Sequence, residues 1–469
     1  MKYVFFALEA YPLPIAAHLV AEGHEVWVGM LQSANRLMLK GVKDASTATE
    51  TKRRLSVYDG LLVKHTADEV MKMLWKVPAK ERDDYFVFFD YNNMFNLADQ
   101  VRKMGFKNGL FPTEWYWRME KERALAKAFV VKNYPDIKVA EAHDFKTTKD
   151  GIAFLQATED KTYVLKSNGN SAGTVVPKTD DPNEAREMLV DALTKQKQGY
   201  EAGGFLLEEK IPDCLEVTPV MVFYDGEPVY SLVEFECKGF GAGDIGVQKG
   251  GNLALSVKTP LDCELNRRSF PKAVYELAKK QPGLCIWDLG LLYDGEDFYF
   301  GEYCAQRFGW DGIFSEMVMR DDGKPFVAAY FEDIVAGKNP LKNIYGASVR
   351  LFNLGGNSST EDSGNTGSVA DDGIPVTWDD AVSNNLFLYM VKEKKDEIVT
   401  VGGFDFLGVA TGASEVLETA VSKAYAVVDA VTCETKYYRP QFDYLSMAYK
   451  SSILNRYAAI KEFLEENED

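Results

Sequence analysis

The 469-residue sequence predicts a multidomain protein in which a small α/β unit with a parallel sheet precedes a larger α+β region. Three observations carry that reading. The chain is too long for one ordinary core. Its first hundred residues alternate apolar strand runs with helical patterns, and beyond about residue 137 hairpins, not single strands, alternate with helices.

Tyr3 to Leu8 is a continuous apolar run of buried-strand type. Ile15 to Ala21 begins a helical pattern, and Gly23-His24 punctuates it before a second strand at Glu25 to Val28. This β-α-β opening fits a parallel sheet covered by helices. A similar unit recurs at Tyr85 to Phe89, with a helix over Phe95 to Met104 and a break at Gly105, so residues 1–112 are expected to form one doubly wound domain.

The next domain is expected over 113–345. It opens with a charged helical pattern from Thr113 to Lys132, and Pro135 precedes a strand at Ile137 to Ala140. Asp181-Pro182-Asn183-Glu184 supplies an N-cap, a proline at the first helical position and an acid two residues later, which starts a helix running to about Thr194. Strands follow at Gly204 to Glu209, Glu216 to Phe223 and Val229 to Cys237, then a glycine-dense segment, 239–251, and a helix over Lys272 to Lys280. Ile286 to Leu292 and Asp297 to Tyr303 form a hairpin through Asp294-Gly295.

Residues 346–378 read as a flexible insertion or linker, because 354–370 is rich in Gly, Ser, Asn and Thr and poor in apolar side chains. A small α+β domain is expected over 379–445, with strands at Leu386 to Val391, Glu397 to Val401 and Phe406 to Val409 and a helix from Ala413 to Val428. The stripe Ile453, Leu454, Tyr457, Ile460 and Leu464 predicts a docked amphipathic helix within 446–469.

Composition narrows the function classes. Asp and Glu total 71 against 53 Lys and Arg, a formal charge of −18, which argues against non-specific nucleic-acid binding. The opening reads as a strand and not as a signal peptide, and no apolar stretch approaches membrane-spanning length. Six scattered cysteines without a CxxC pair suit reduced thiols and a cytoplasmic location. The four histidines lack HExxH spacing, so a zinc site is not expected.

The stretch TYVLKSNGNSAGTVV, Thr162 to Val176, ends an apolar run on Lys166 and passes into a loop of small residues. A lysine there can place its ammonium on a phosphate while loop amides and hydroxyls such as that of Ser171 cover the remaining oxygens. A surface lysine before a turn gives the same pattern, and the spacing is neither a P-loop nor a dinucleotide fingerprint. Phe205 to Ile211 is an apolar strand ending in acids, whose backbone could meet an adenine edge, and Glu216 could accept from ribose hydroxyls. Asp288 and Glu302 lie on the two arms of the predicted hairpin, where two carboxylates are unfavourable together unless a cation fills the gap. Mg²⁺ suits such a pair with phosphate oxygens and waters completing its shell. Arg307-Phe308-Gly309 follows as an anion binder beside a turn, although an ordinary exposed hairpin would also read this way.

In that order these parts resemble the ATP-grasp superfamily, and most closely its phosphoribosylamine–glycine ligase family. VLKSNGNSAGTVV resembles the family's strand, lysine and glycine-rich loop, LLEEKIPDCLE its nucleotide hinge, and EYCAQRFG its metal-binding strand and Arg-Phe-Gly signature. ECKGFGAGDIGVQKGGNLALS resembles the segment that carries DGDTGPNTGG in the family, and the stretch from Gly402 to Asp443 resembles its C-terminal domain. The likeness runs from about Met119 to Asp443. It implies an ATP-grasp fold with an N-terminal parallel-sheet domain and a small C-terminal α+β domain.

Carried over position by position, the resemblance implies that Arg123 stands where the family has its first phosphate-contacting lysine and that Lys166 is the second. Glu208 with the backbone at Lys210 and Ile211 matches the adenine hinge, and Glu216 the ribose-binding acid. Glu302 matches a Mg²⁺ ligand, Asp288 the acid of the preceding strand, and Arg307 the arginine beside the transferred phosphoryl group. The implied cofactors are ATP and Mg²⁺, with Mn²⁺ as an alternative. The implied reaction joins a small-molecule carboxylate, glycine or another small amino acid, to an amine on a nucleotide or nucleotide-like acceptor through an acyl phosphate. Phosphoribosylamine–glycine ligase itself and a non-catalytic ATP-binding protein are the alternatives, and a homodimer is compatible with either sheet-bearing end.

Departures concentrate on the substrate side. The family's Gly-Gly-Arg-Glu-His stretch is here Leu8-Glu9-Ala10-Tyr11-Pro12, and its Gly-Pro-Glu segment is Asp90-Tyr91-Asn92-Asn93. Lost glycines remove close backbone approach to a phosphate. Cys304 stands where a metal-site asparagine is expected, and a thiol is a poor Mg²⁺ ligand.

Overall fold

The structure is a computed structural model of the chain. It describes all residues except 9, 32–47, 159, 169–171, 178, 180, 305–310, 355–371, 403–404, 447–451 and 466–469. Much of the linker expected over 346–378 therefore lies outside the described residues. Contacts divide the chain into two compact units: residues 1–117, 218–288 and 304–469 form the first, and residues 118–217 and 289–303 the second.

The first unit begins with the doubly wound sheet. Strands β1 (Lys2–Ala7), β2 (Val26–Met30), β3 (Lys64–Thr66), β4 (Tyr85–Phe89) and β5 (Gly109–Leu110) lie in the order β5-β4-β1-β2-β3, all parallel. Tyr3 to Ala7 are fully buried, as a strand covered on both faces requires. Aromatic rings stack across the register, Phe5 on Phe88 at 4.6 Å and Phe6 on Phe89 at 5.2 Å. Helices α1 (Leu13–Ala21), α2 (Ala48–Ser56), α3 (Ala67–Lys76) and α4 (Phe95–Lys103) connect the strands. Because the chain leaves β1 toward β2 on one side and later returns to β4 on the other, the topology switches direction between β1 and β4.

Helices α5 (Glu114–Lys121) and α6 (Arg123–Asn133) replace the single helix expected over 113–132. Glu122 interrupts it with φ −99° and ψ 82°, outside the helical region, so Arg123 opens a new helix. The second unit then contributes β6 (Ile137–Lys138), β7 (Ala142–Phe145), α7 (Thr148–Ala157), β8 (Tyr163–Ser167), α8 (Pro182–Lys195), α9 (Lys197–Gly203) and β9 (Phe205–Glu209). β9 runs between β7 and β8, antiparallel to both. Leu165, Leu207 and Phe205 of this sheet pack on Leu155, Leu189, Leu193 and Tyr200 in one apolar core. The predicted cap is present: the Asp181 carboxylate accepts from the Asn183 and Glu184 amides at 2.8 and 3.1 Å.

Strands β10 (Leu215–Tyr224), β11 (Glu227–Gly241) and β12 (Ile245–Thr259) form antiparallel neighbours in the first unit's sheet, and the glycine-dense segment 239–251 extends β11 and β12. Helices α10 (Glu264–Ser269) and α11 (Lys272–Ala278) lead to β13 (Leu284–Tyr293), which pairs with β14 (Phe298–Tyr303) as the expected hairpin. α12 (Asp311–Val318) and α13 (Val327–Val335) follow, and the Glu22 carboxylate accepts from the first two amides of α13, both at 2.9 Å.

β15 (Tyr345–Asn353) pairs with β12 on one edge and with β19 (Phe406–Ser414) on the other. The short strand β16 (Leu386–Leu388) pairs with β19 and prolongs the first unit's own sheet, while β17 (Val391–Lys394) and β18 (Glu397–Thr400) form a separate two-stranded sheet. The helix expected from Ala413 starts later, as α14 (Leu417–Ala430), because β19 runs on through Ser414. Packing explains the register: a Cβ at Gly412 would sit 2.4 Å from the Ala420 carbonyl oxygen, so this strand needs glycine where α14 crosses it. No helix among the described residues is long and apolar enough to cross a membrane.

Asp181→Ala removes the acceptor for two first-turn amides of α8 and is expected to cost about 1 kcal/mol. The shift of the urea midpoint for that unit, followed by hydrogen exchange at Leu189 and Leu193, measures it.

Candidate functional site

The second unit gathers cations around one buried carboxylate. Helix α6 sets Arg123 and Lys127 one turn apart on the same face. On the sheet, Val164 pairs with Glu208 and Lys166 with Leu206, so Lys166 and Glu208 are diagonal neighbours on one face of β8 and β9. The Lys166 Nζ donates to Glu208 Oε1 at 2.5 Å, and the Lys127 ammonium is in ion contact with Glu208 Oε2. Lys127 also donates to the Ala140 carbonyl at 3.2 Å. Glu208 is 3% exposed, which makes its two ammonium partners a requirement, since an unpaired carboxylate there would be costly.

Electrostatics at Lys127 report the crowding. Burial is the main cause that lowers its pKa from the ordinary 10.5; Glu208 pulls it up, while Lys166 and Arg123 push it down. Arg123 reaches Glu302, Nη1 to carboxylate 3.8 Å, at the far side of the same pocket, which Gly301 and Tyr303 also line. Arg123 and Lys127 line this pocket beside Glu120, Glu208 and Glu302, and Lys166 joins the cluster through Glu208.

Glu302 owes its placement to a bulge. Gly290 pairs with Glu302 and Leu291 with Phe300, so Gly301 is the extra residue on β14 and re-aims the side chain that follows. A Cβ at Gly301 would lie 3.0 Å from the Gly290 carbonyl oxygen. The cross-strand partner of Glu302 is thus a glycine, not the carboxylate of Asp288, and its own carboxylate is 42% exposed.

Of the residues singled out from sequence, Arg123, Lys166, Glu208, Lys210, Ile211, Glu216 and Glu302 belong to the second unit and Asp288 to the first. Lys166 meets Glu208, and Arg123 meets Glu302. The Lys210 amide donates to the Thr162 carbonyl and its ammonium to the Thr179 carbonyl, both at 2.9 Å, so the hinge amide at 210 is committed to the protein. Glu216 is partly exposed near the start of β10. Asp288 is buried, and its carbonyl accepts from the Cys304 amide at 3.1 Å. Ser171 and Arg307 lie outside the described residues. Lys127 escaped the sequence reading; its place four residues after Arg123 was the available signal.

Among the described residues no group of three or more His, Cys, Asp or Glu is close enough to hold a metal ion alone. The partly exposed Glu302 carboxylate, in a pocket with Arg123 and Lys127, is an oxygen donor of the kind that Mg²⁺ takes together with phosphate oxygens and waters.

Residues 121–282 match the family model of the phosphoribosylglycinamide synthetase ATP-grasp (A) domain. The chain is 26% identical over 368 residues to the bifunctional purine biosynthetic protein PUR2,5 of Pichia angusta, covering 72% of this chain and 42% of that protein. It is 29% identical over 137 residues to the corresponding ADE5,7 protein of Saccharomyces cerevisiae, covering 29% and 16%. The chain thus spans less than half the length of these relatives. Its structure superposes on the phosphoribosylamine–glycine ligase of Thermotoga maritima with a TM-score of 0.62 at 19% identity, covering 94% of this chain and 99% of that one. On the biotin carboxylase domain of the Hydrogenobacter thermophilus 2-oxoglutarate carboxylase, solved with MgADP, the TM-score is 0.55 at 12% identity, covering 100% and 99%. The expected fold is present: the chain has the ATP-grasp fold, and its ATP-grasp domain resembles that of the phosphoribosylamine–glycine ligases.

Glu208→Gln leaves two partly buried ammonium groups without their countercharge and is expected to destabilise the second unit by about 3 kcal/mol in urea unfolding. Because Lys127 is held below 10.5, the unfolded chain binds the extra proton between the folded value and 10.5, and stability rises with pH across that window. Lys127→Met should abolish that component in unfolding measured from pH 8 to 10.5.

Proposed function

We propose that the chain is an ATP-dependent carboxylate–amine ligase that makes an amide through an acyl phosphate. The observation that carries this is the cluster in which Arg123 and Lys127 line a pocket with Glu208 and Glu302 and Lys166 joins them through Glu208, in a domain that matches a ligase family over 121–282. Lys166 and Lys127 bind the polyphosphate, exchanging part of their contact with Glu208 for phosphate oxygens. Glu208 holds both ammonium groups in place beforehand, so little reorganisation is needed when nucleotide enters. The Lys210 carbonyl and the Ile211 amide are the hinge groups for the adenine edge, and Glu216 accepts from the ribose.

Glu302 is the metal ligand of the second unit, with Asp288 as the second carboxylate by its place in the family pattern. Bound Mg²⁺ supplies neutralisation of the β,γ-phosphates. Arg123 keeps the Glu302 carboxylate oriented, and Ser171 and Arg307 keep the roles read from sequence, at the phosphates and beside the transferred phosphoryl group. A substrate carboxylate attacks the γ-phosphorus, ADP leaves, and an amine then displaces phosphate from the acyl carbon to give the amide. Glycine or another small amino acid is the carboxylate, and the amine is carried by a nucleotide or nucleotide-like acceptor.

The test is ADP release with Mg-ATP over a panel of small amino acids and amines, phosphoribosylamine included. Expected is turnover that requires both partners and yields an amide by mass spectrometry. Glu302→Gln should reduce the rate by about 100-fold or more, and Lys166→Ala should weaken ATP binding. ATP binding without turnover for any pair would show a binding protein in place of a ligase.

A further inference from the structure

In an open α/β sheet the ligand crevice lies beyond the carboxyl ends of the strands where the topology switches, here β1 and β4. A phosphate is ordinarily held there by the free amides of the helix that follows the first strand. Helix α1 cannot do this. Pro12 at its N-cap and Pro14 inside its first turn have no N–H. The Leu13 amide donates to the Ala10 carbonyl at 3.2 Å and the Ala16 amide to the Pro12 carbonyl at 3.0 Å, which leaves Ile15 as the first-turn amide without such a bond among the described residues.

The Leu8 amide, just after β1, is taken as well. It donates at 2.7 Å to Oδ2 of Asp90, a 7% exposed carboxyl group at the end of β4, so the crevice already contains an acceptor of its own. Ala10 follows with φ +64°, a left-handed conformation held by a buried non-glycine residue. What this turn presents instead is an aromatic surface. Tyr11, after β1, stacks with Tyr91, after β4, at 6.4 Å and 28°, and both rings are partly exposed. Tyr389 backs Tyr11 edge-on at 6.2 Å and is itself stacked on Phe406 at 4.1 Å, beneath the Arg350 guanidinium.

We infer that the amine acceptor is recognised at this switch point by a planar aromatic ring stacked on Tyr11 and Tyr91, and not by a phosphate. The inference rests on the ligase reading and specifies its acceptor as a nucleobase-type amine whose phosphate, if it has one, is not held here. Stacking on aromatic side chains tolerates different bases, because each offers a π-face.

The full-length protein is titrated calorimetrically with cytidine, with adenosine and with ribose 5-phosphate, each with and without saturating Mg-ADP. Expected is saturable binding of at least one nucleoside, weakened about tenfold or more by Tyr91→Ala, kept within about twofold by Tyr91→Phe, and no saturable binding of ribose 5-phosphate. The conservative variant separates a lost ring from a lost fold. Saturable ribose 5-phosphate binding, nucleoside binding indifferent to Tyr91→Ala, or no nucleoside binding at all would each overturn the inference. Mg-ADP binding in the same samples reports on the ligase reading separately: its retention alongside failure of the nucleosides removes the acceptor assignment alone, and its absence counts against the ligase.

Discussion

A carboxylate with almost no access to water, Glu208, holds the second unit's working face together. Its two oxygens engage Lys166 of the adjoining strand and Lys127 of helix α6, so the helix and the three-stranded sheet share one charge cluster. Each charge is tolerable only because the others are there: Glu208 would be costly unpaired, and Lys127 already loses proton affinity to burial and to Lys166 and Arg123. Such a cluster is neither a simple stabilising salt bridge nor a solvated surface pair. It is a cluster of cations kept in position by a resident carboxylate.

This arrangement relates charge to chemistry at two points. The ammonium groups are fixed in position by Glu208, as the proposed phosphate binding with little rearrangement requires. At the pocket's other side the bulge at Gly301 turns Glu302 toward Arg123 while leaving its carboxylate accessible. Restraint at Glu208 and access at Glu302 are opposite treatments of the same functional group, set by burial.

The N-terminal sheet applies a different economy. It keeps the parallel topology that generates a ligand crevice, but its loops use prolines, a buried aspartate and tyrosines where a phosphate cradle would need free amides. The two units therefore differ in character, a cluster of charges in one and an aromatic surface in the other, and each is traceable to a handful of residues.

The β-α-β opening, the capped helix at Asp181, the Asp-Gly hairpin and the lysine that ends a strand could all be read from sequence, because periodicity, caps and turns are local properties of the chain. Lys166, Glu208 and Glu302 could be singled out from their places at strand ends and from the family resemblance. That Glu208 would bind lysines, that Lys127 would join them, and that Glu302 would face Gly290 instead of a second acid could not be read locally, since each depends on register, a one-residue bulge and the approach of a helix to a sheet distant in the chain. The break at Glu122 and the late start of α14 belong with these, decided by packing over propensity. Sequence alone determined which residue types and elements were available; tertiary structure alone decided which charges meet, because burial and distance, which set the strength of every electrostatic contact, exist only in the folded chain.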